Sequence, residues 1–263
     1  MHALRLTGLF LRASLQEEVA YRANFWIHLL NSLLNLGTGI AGVAVLFGQV
    51  QNLRGWDFPA ALALLGVYLS ISALRGLVIG PSLDALAGMD GEIWRGVFDF
   101  TLLRPVSTQF YVSLRRWDLF ALFDLALGCG VIAVAVWLPG QALPPAAWVA
   151  FVVSLLAGVI ILYALLLAFT ALVFWSPGFM FTWVFDALFQ MARYPVDLYP
   201  GWLRLALTWV IPVGLMTTFP AQALAGRLPL GWAAAGAALA LVLLAAASLF
   251  FHGALRRYAS ASS

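Results

Sequence analysis

The sequence contains no lysine, and all fourteen of its basic residues are arginine. A Walker A loop needs a lysine that reaches the phosphate groups of the nucleotide. The GxGxxG fingerprint of dinucleotide-binding folds is also absent. The sequence therefore carries neither of these two nucleotide-binding motifs.

Cysteine and histidine are scarce as well. The single cysteine, Cys129, lies inside an apolar run, so it can form no internal disulfide bond, and a metal site there would need other ligands. The three histidines, His2, His28 and His252, lie towards the ends of the chain or of its apolar runs, and no Ser/His/Asp arrangement is readable around them. Neither catalysis by this chain nor a cofactor or metal of its own is expected.

Charge is the third scarcity. Charged residues make up only 10% of the 263 residues, whereas a soluble domain carries roughly 25%. Hydrophobic residues make up 63%, and the mean hydropathy is +0.97. The formal net charge is only +3, and no nucleic-acid partner is expected. These values predict an all-α integral membrane protein.

Apolar runs suited to membrane helices recur along the chain. Crossing a hydrocarbon core of about 30 Å takes roughly 20 apolar residues in a helix. The sequence predicts one membrane domain, 1–263, with six spans at residues 24–48, 59–80, 117–138, 147–174, 178–192 and 230–251. Residues 1–22 predict an amphipathic helix in the membrane interface. Residues 201–219 are cut by Pro212 and closed by Pro220, which predicts a pair of short re-entrant helices before the sixth span.

Arginine placement predicts the orientation, because cytoplasmic flanks carry the excess of basic residues. With the N-terminus inside, six spans leave both termini and residues 81–116 in the cytoplasm, together with most of the arginines. Four arginines then lie outside, against this rule: Arg54, Arg193, Arg204 and Arg227. A seventh span at 201–219 would instead expel Arg256 and Arg257, so six spans are preferred.

A polar stripe runs along the first predicted span. His28, Asn31, Asn35 and Thr38 recur at steps of three and four residues, which places them on one face of a helix. Polar and small residues on one face of a membrane helix indicate a helix–helix contact. The stripe therefore predicts an interface, within the chain or with a partner. A proton-carrying or metal-binding role for His28 is the alternative, but no second ligand lies at a suitable spacing.

Four charged residues fall within or near predicted spans: Arg75, Asp118, Asp124 and Asp186. Charges inside a membrane are rare and are functional candidates by default. Asp118 and Asp124 are six residues apart, about 240° around a helix, so they do not share a face. We expect each acid to form an ion pair or hydrogen bond between helices, Arg75 to extend towards the inner surface, and a role in cation passage to be the alternative.

The longest polar insert, residues 90–116, reads DGEIWRGVFDFTLLRPVSTQFYVSLRR. Within it, Glu92, the run GVFD at 96–99, the pair LL at 102–103 and PVS at 105–107 resemble a pattern in the permease subunits of type-two ABC exporters. The later segment YPVDLYPGWLRLALTWVIPVGLMTTFPAQALAGR is similar to a narrower branch of bacterial permeases, often encoded in pairs with a separate ATPase. The resemblance covers essentially the whole chain.

This resemblance implies a fold and a role for residues 90–104. The family has an interfacial N-terminal helix, six spans, a cytoplasmic coupling helix between the second and third, and re-entrant helices before the sixth. Asp90 would cap the coupling helix, and Pro105 would end it. The residues implied to contact the ATPase are Glu92, Trp94, Arg95, Phe98, Asp99, Phe100 and Arg104, with the aromatic rings as anchors and the charges setting the register. An amphipathic loop lying on the lipid is the alternative.

The resemblance also implies the function and partners. It implies a non-catalytic permease of an ATP-driven exporter in the bacterial cytoplasmic (inner) membrane. The partners would be two copies of an ABC ATPase, a second permease (identical or a paralogue) and membrane lipids. The ATPase would bind ATP and Mg. Few charges in the spans favour an amphipathic or hydrophobic cargo. Two other classes stay open, a membrane-embedded lipid-modifying enzyme with Asp124 and Asp186 as catalytic acids, and a channel or scaffold.

Overall fold

The computed structural model describes residues 2–20, 22–87, 90–140, 142–176 and 181–258. Over these residues the chain is helical, and its only β-type pairing is an isolated bridge between Leu53 and Trp56. The helices are α1 (His2–Ala20), α2 (Arg22–Phe47), α3 (Phe58–Leu74), α4 (Gly80–Asp84), α5 (Asp99–Leu102), α6 (Thr108–Leu114), α7 (Ala121–Trp137), α8 (Pro145–Ala171), α9 (Phe181–Gln190), α10 (Gly201–Leu205), α11 (Val213–Leu224) and α12 (Leu230–Leu255). The prediction of an all-α protein is confirmed.

Four helices in the described chain are long and apolar enough to cross a membrane, so the protein is a multi-pass membrane protein. They are Asn24–Phe47, Phe58–Asp84, Pro145–Phe174 and Leu230–Leu255. The second of these runs from α3 to α4 through a π-helical turn at Arg75–Ile79. All four coincide with predicted spans, within a few residues at their ends.

The third predicted span is shorter than expected. Helix α7 begins at Ala121 rather than at residue 117 and has 17 residues. The preceding residues form a turn that is tied to its neighbours. The Asp118 amide donates to the Leu77 carbonyl at 3.0 Å, and the Phe120 amide donates to Asp118 Oδ1 at 3.1 Å. These bonds stabilise the turn, and the helix begins after it.

The fifth predicted span, 178–192, is only partly described. Helix α9 has 10 residues and is followed by a 3₁₀ turn, Met191–Arg193. Ten helical residues rise about 15 Å, which is half of the hydrocarbon core. Pro177, between the fourth and fifth predicted spans, and residues 178–180, at the start of the fifth, lie outside the described residues. The count of six spans therefore stays a prediction.

The predicted break at Pro212 separates two apolar helices, Gly201–Val210 and Val213–Leu224, which are bent by 95°. The prediction that Pro220 closes this pair is wrong, because Pro220 lies inside α11, which continues to Leu224. Proline has no amide proton, so the Met216 carbonyl lacks its usual partner four residues on. Helix α8 packs closely against this part of α11, since a Cβ atom added to Gly158 of α8 would lie 2.8 Å from the Met216 carbonyl oxygen. Re-entrant placement of the pair stays a prediction.

Small residues let the central helices approach each other. Helix α8 packs against α11 and α12, while α3 packs against α7 and α11. At the α3–α7 contact, a Cβ on Gly128 would lie 2.8 Å from the Ser70 amide nitrogen, and one on Gly66 would lie 2.8 Å from the Ile132 amide nitrogen. Close backbone approach of this kind is how membrane helices gain packing energy.

Helix α1 lies against the turn that precedes α7. The Ser14 hydroxyl accepts a hydrogen bond from the Trp117 amide at 3.1 Å, and Glu18 Oε1 accepts one from the Leu119 amide at 2.5 Å. Burial raises the pKa of the Glu18 carboxyl. The predicted N-terminal helix is thus present, and its polar side chains satisfy backbone amides of the turn. Its position in the membrane interface stays a prediction.

Candidate functional site

The 90–104 segment folds as a series of turns rather than as the helix expected from residue 90. Only Asp99–Leu102 is α-helical. Gly96 has a positive φ of 71°, a conformation that glycine adopts at little cost. The chain then folds back, so that the Phe98 amide donates to the Glu92 carbonyl at 3.2 Å. The expectation of a regular helix capped by Asp90 is therefore wrong.

The fold-back buries one side of the segment. Phe98 is fully buried, with its ring centroid 5.5 Å from that of Phe174 and 5.3 Å from that of Tyr258. The expectation that Phe98 anchors in a partner protein is wrong in this conformation, because aromatic rings from the end of α8 and the C-terminal side of α12 already surround it. Phe98 instead fixes the segment to the helical bundle.

Glu92 also belongs to the buried side. Its Oε2 lies 2.6 Å from Arg115 Nη1, and the side chains of the two residues are 11% and 7% exposed. Arg116 Nη2 is 4.0 Å from Oε1 of the same carboxylate. The predicted outward ion pair of Glu92 is therefore replaced by a buried pair within the chain. Removing either partner of such a pair leaves an uncompensated buried charge.

The opposite side of the segment is exposed and apolar. Trp94 is 53% exposed, Phe100 68% and Leu103 80%. Arg95 and Arg104 are exposed beside them, and the Arg104 guanidinium lies 4.6 Å from the centroid of the Tyr111 ring. Four of the predicted contact residues, Trp94, Arg95, Phe100 and Arg104, thus lie on an accessible surface.

Asp99 lies between the two sides and is half-buried. Burial, and then the Asp99 carboxylate, raises the pKa of Tyr258 to about 12. The Tyr258 hydroxyl therefore stays protonated at neutral pH. Asp99 thus interacts with the C-terminal part of the chain rather than being free to set the register of a partner.

The polar stripe of α2 meets two other parts of the chain. His28 Nε2 lies 3.7 Å from Asp124 Oδ2 on α7, with the Phe120 ring 6.0 Å from the imidazole. Farther along, Arg193 Nη2 donates to the Asn35 carbonyl at 3.0 Å and to Thr38 Oγ1 at 3.4 Å. An intrachain contact is therefore present at both ends of the stripe. The side chains of Asn31, Asn35 and Thr38 remain exposed.

The charged residues of the spans have separate partners. Arg75 Nη1 lies 2.5 Å from Asp186 Oδ1, and the guanidinium is 5.8 Å from the centroid of the Phe185 ring. Asp124 faces His28, and Asp118 belongs to the turn before α7. Asp124 and Asp186 thus contact different basic side chains on different helices, and Asp118 and Asp124 do not form a pair, as expected.

A polar cluster near α6 was missed by the sequence reasoning. Gln109 Nε2 donates to the Tyr163 hydroxyl at 3.1 Å and to the Ser248 hydroxyl at 3.0 Å. The hydroxyls of Ser113 and Tyr163 are 2.8 Å apart. The available signal was the spacing of Gln109 and Ser113, four residues apart on one face of α6. Among the described residues, no group of three or more His, Cys, Asp or Glu side chains could hold a metal ion.

Comparison with known proteins adds one positive finding. A family model described as ABC-2 family transporter protein matches residues 33–262. No significant match was found among curated proteins or among solved structures. The matched range contains the 90–104 segment and every helix from α3 to α12.

Proposed function

The chain belongs to the ABC-2 family of transporter proteins, and from this premise we propose that it is the permease of an ATP-driven exporter. It is a membrane component of an ABC transporter, a class of subunit that is generally non-catalytic. ATP and Mg would be bound by a separate ABC ATPase, because this sequence lacks the lysine of a Walker A loop. The cargo proposed is amphipathic or hydrophobic.

The proposed assembly contains two ATPase copies and a second permease, identical or a paralogue. It lies in the bacterial cytoplasmic membrane with both termini on the cytoplasmic side. The arginine distribution supports this orientation, since it places the arginine-rich insert and the Arg256–Arg257 pair inside. The exposed polar face of α2 supports a protein neighbour in the membrane, because amides facing hydrocarbon lack hydrogen-bond partners.

The two-sided structure of the 90–104 segment is the observation that carries the proposal. Its buried side is fixed to the bundle through Phe98 and the Glu92–Arg115 pair, while its exposed side presents Trp94 and Phe100. Force applied to the exposed side therefore reaches α6, α8 and α12 through direct contacts. This is what a transporter needs if ATP-driven movement of one subunit is to change the conformation of another.

The lipid-modifying enzyme gains no support from the geometry. Paired carboxylates for acid–base work should face one another or a shared cleft. Asp124 instead lies near His28 and Asp186 near Arg75, which fits a structural role for both acids.

The exposed side can be tested separately from the buried side. The double variant Trp94→Ala, Phe100→Ala should fold normally but bind the ATPase at least about 30-fold more weakly, because exposed aromatic anchors dominate interface energy. Phe98→Ala should instead lower the stability of the bundle itself, by about 3 kcal/mol. Capture of the ATPase on purified permease, followed by ATP hydrolysis coupled to export, measures the first effect, and thermal unfolding in detergent measures the second.

The matched control is Trp202→Ala, an exposed tryptophan in α10, which is 72% exposed. It removes a similar ring from a surface that the proposed topology places on the outer side. Unchanged ATPase capture and unchanged coupling in the Trp94→Ala, Phe100→Ala variant would contradict the proposed contact.

A further inference from the structure

A cavity of about 460 Å³ lies beside the polar cluster of α6. Its walls come from the π-helical turn at Arg75–Ile79, from α6, from Tyr163 on α8 and from His252 on α12. Polar side chains are rare in this chain, yet Gln109, Ser113, Tyr163 and His252 all line this one space. Such a convergence of a few polar groups in an otherwise apolar wall is typical of a small-molecule site.

The hydrogen bonds of the cluster make the wall rigid. Gln109 donates to Tyr163 and to Ser248 and thereby joins α6 to α8 and α12. Ser113, one turn along α6, adds its contact with the Tyr163 hydroxyl. Both amide protons of Gln109 are used within the chain, so the side chain is held in one orientation. A polar wall fixed in this way is preorganised for a ligand.

Two hydrogen-bond acceptors remain available on this wall. His252 Nδ1 lies 2.7 Å from the Ser248 carbonyl, which can only accept, so Nδ1 carries the proton and the neutral ring keeps a lone pair on Nε2. Within the described part of the chain, neither His252 Nε2 nor Gln109 Oε1 has a hydrogen-bond partner. A complementary ligand therefore donates to these two acceptors. The Ser113–Tyr163 contact uses only one of the two hydroxyl protons, so the wall also offers one donor to the ligand.

The surroundings favour an uncharged donor. Among the described residues, no Asp or Glu side chain lines the cavity, so an ammonium group would lack a counter-ion there. A hydroxyl group donates without needing one. On the N-terminal side of His252, the outer face of α12 is apolar, with Leu249 75% exposed and Val242 63% exposed. An acyl chain can lie along this face while a hydroxylated group enters the cavity.

We propose that the cavity between α6, α8 and α12 binds an amphiphile with an uncharged, hydroxyl-bearing head group of the glycerol type. The head group donates to Gln109 Oε1 and His252 Nε2, and the acyl chain follows α12. Placement in the inner leaflet rests on the proposed function, because it uses the proposed cytoplasmic orientation of α6. The binding itself does not require transport.

The test uses the purified full chain in nanodiscs of phosphatidylcholine, a lipid whose head group has no hydrogen-bond donor. The probe is a monoacylglycerol with a photoreactive diazirine in its acyl chain. Its control is the same molecule with both hydroxyls methylated, which keeps the tail but cannot donate. Cross-linked peptides from α6 and α12 are quantified against probe concentration. The methylated probe should bind about tenfold more weakly, because two hydrogen bonds are lost.

Three variants locate the binding within the cavity. His252→Phe keeps a ring on an exposed position but removes the acceptor, and Gln109→Leu removes the other acceptor. Val78→Phe narrows the cavity without altering any residue of the polar cluster. It therefore still tests binding in the cavity if Gln109→Leu fails to fold. Each variant should reduce labelling by the hydroxylated probe at least about threefold. Gln51→Leu, in the exposed loop after α2, is the matched control and should leave labelling unchanged.

Equal labelling by both probes would overturn the proposal, as would unchanged labelling in both His252→Phe and Val78→Phe. The head-group chemistry could belong to exported cargo or to a lipid that stays bound. With the ATPase and ATP present, cargo should stimulate hydrolysis and leave the cavity, whereas a resident lipid should do neither. If the probe binds as expected but no ATPase associates with the chain, the site stands and the proposed function fails.

Discussion

Helix α2 and the Phe58–Asp84 helix are both apolar enough to cross a membrane, yet they occupy opposite environments. Only 17% of the apolar stretch of α2 is buried within the chain, compared with 72% for Phe58–Asp84. Their mean hydropathies, 1.6 and 2.0, differ little. Hydropathy therefore identifies a membrane helix but does not separate one at the centre of the protein from one at its edge.

The two helices are also held by different interactions. Helix α3 contacts α7 through glycine positions where the backbones nearly touch. Helix α2 packs along a narrower face: Val43 is buried in the core and the Phe47 ring contacts that of Phe58. Polar contacts join His28 to Asp124 and Arg193 to Asn35 and Thr38. Close packing around most of a helix resists change, whereas a narrow contact face with a few polar bonds allows a helix to move or to exchange partners. This difference predicts that α3 is a structural centre and α2 an adaptable edge.

The largest expected effect comes from breaking the α3–α7 contact. In Gly128→Leu, the new Cβ would lie 2.6 Å from Ser70 Oγ and 2.8 Å from the Ser70 amide nitrogen. The backbone of α3 cannot move aside without loosening the core, so we expect a loss of about 3 kcal/mol or failure to fold. Thermal unfolding of the purified protein in detergent measures the change.

The matched control is Gly130→Leu, two residues along the same helix. A Cβ there would have no atom within 4 Å. This variant should unfold at nearly the wild-type temperature. Equal stability of the two leucine variants would show that the α3–α7 contact is not the centre of the bundle.

A smaller effect is expected where Arg193 fixes α2. Arg193→Met removes the bonds to the Asn35 carbonyl and to Thr38 Oγ1 but keeps an apolar stem. Because the site is partly exposed, we expect a loss of about 1 kcal/mol. Hydrogen exchange along Asn24–Phe47 should increase, while exchange in α3 should stay unchanged.

Arg204→Met serves as the control, since this neighbouring arginine contacts Asp197 at 3.9 Å rather than α2. If both variants increase hydrogen exchange in α2 equally, the loss of stability is a general effect of removing an outer arginine and not of the contact between Arg193 and α2. Faster exchange in α3 would contradict the separation between a structural centre and an adaptable edge.

Local patterns predicted the helices well because apolar runs and proline positions act over short distances. The four long helices and the break at Pro212 follow directly from such patterns. The position of Pro220 inside α11 does not follow from local patterns. Helix α11 continues past this proline to Leu224, and Gly158 of α8 packs against its preceding turn at Met216. Local rules identify a possible break, and tertiary packing decides whether it forms.

The 90–104 segment shows what the sequence could not reveal. Phe98 and Phe100 are two residues apart and both aromatic, yet one is fully buried and the other is 68% exposed. The partners of Phe98 are Phe174 and Tyr258, which lie far along the chain. Similarly, intramembrane charges suggested ion pairs between helices, but the fold selected Arg75 for Asp186 and His28 for Asp124. Residue type predicted the kind of interaction, and long-range topology determined the partner.

The smallest effect concerns the face of α2 that this chain leaves exposed. The side chains of Asn31 and Asn35 are exposed, and Arg193 uses the Asn35 carbonyl rather than its amide group. Asn31→Leu, Asn35→Leu should therefore leave the stability of the isolated chain unchanged. If a second permease covers this face, the amides gain partners there, and the loss of both should weaken permease–permease association about eightfold, since such bonds average about 0.6 kcal/mol each. Gln190→Leu, an exposed amide at the end of α9, is the control. Single-molecule association in lipid vesicles measures the change, and heavy labelling of position 35 by a lipid-soluble probe in the intact complex would show that lipid, not protein, covers α2.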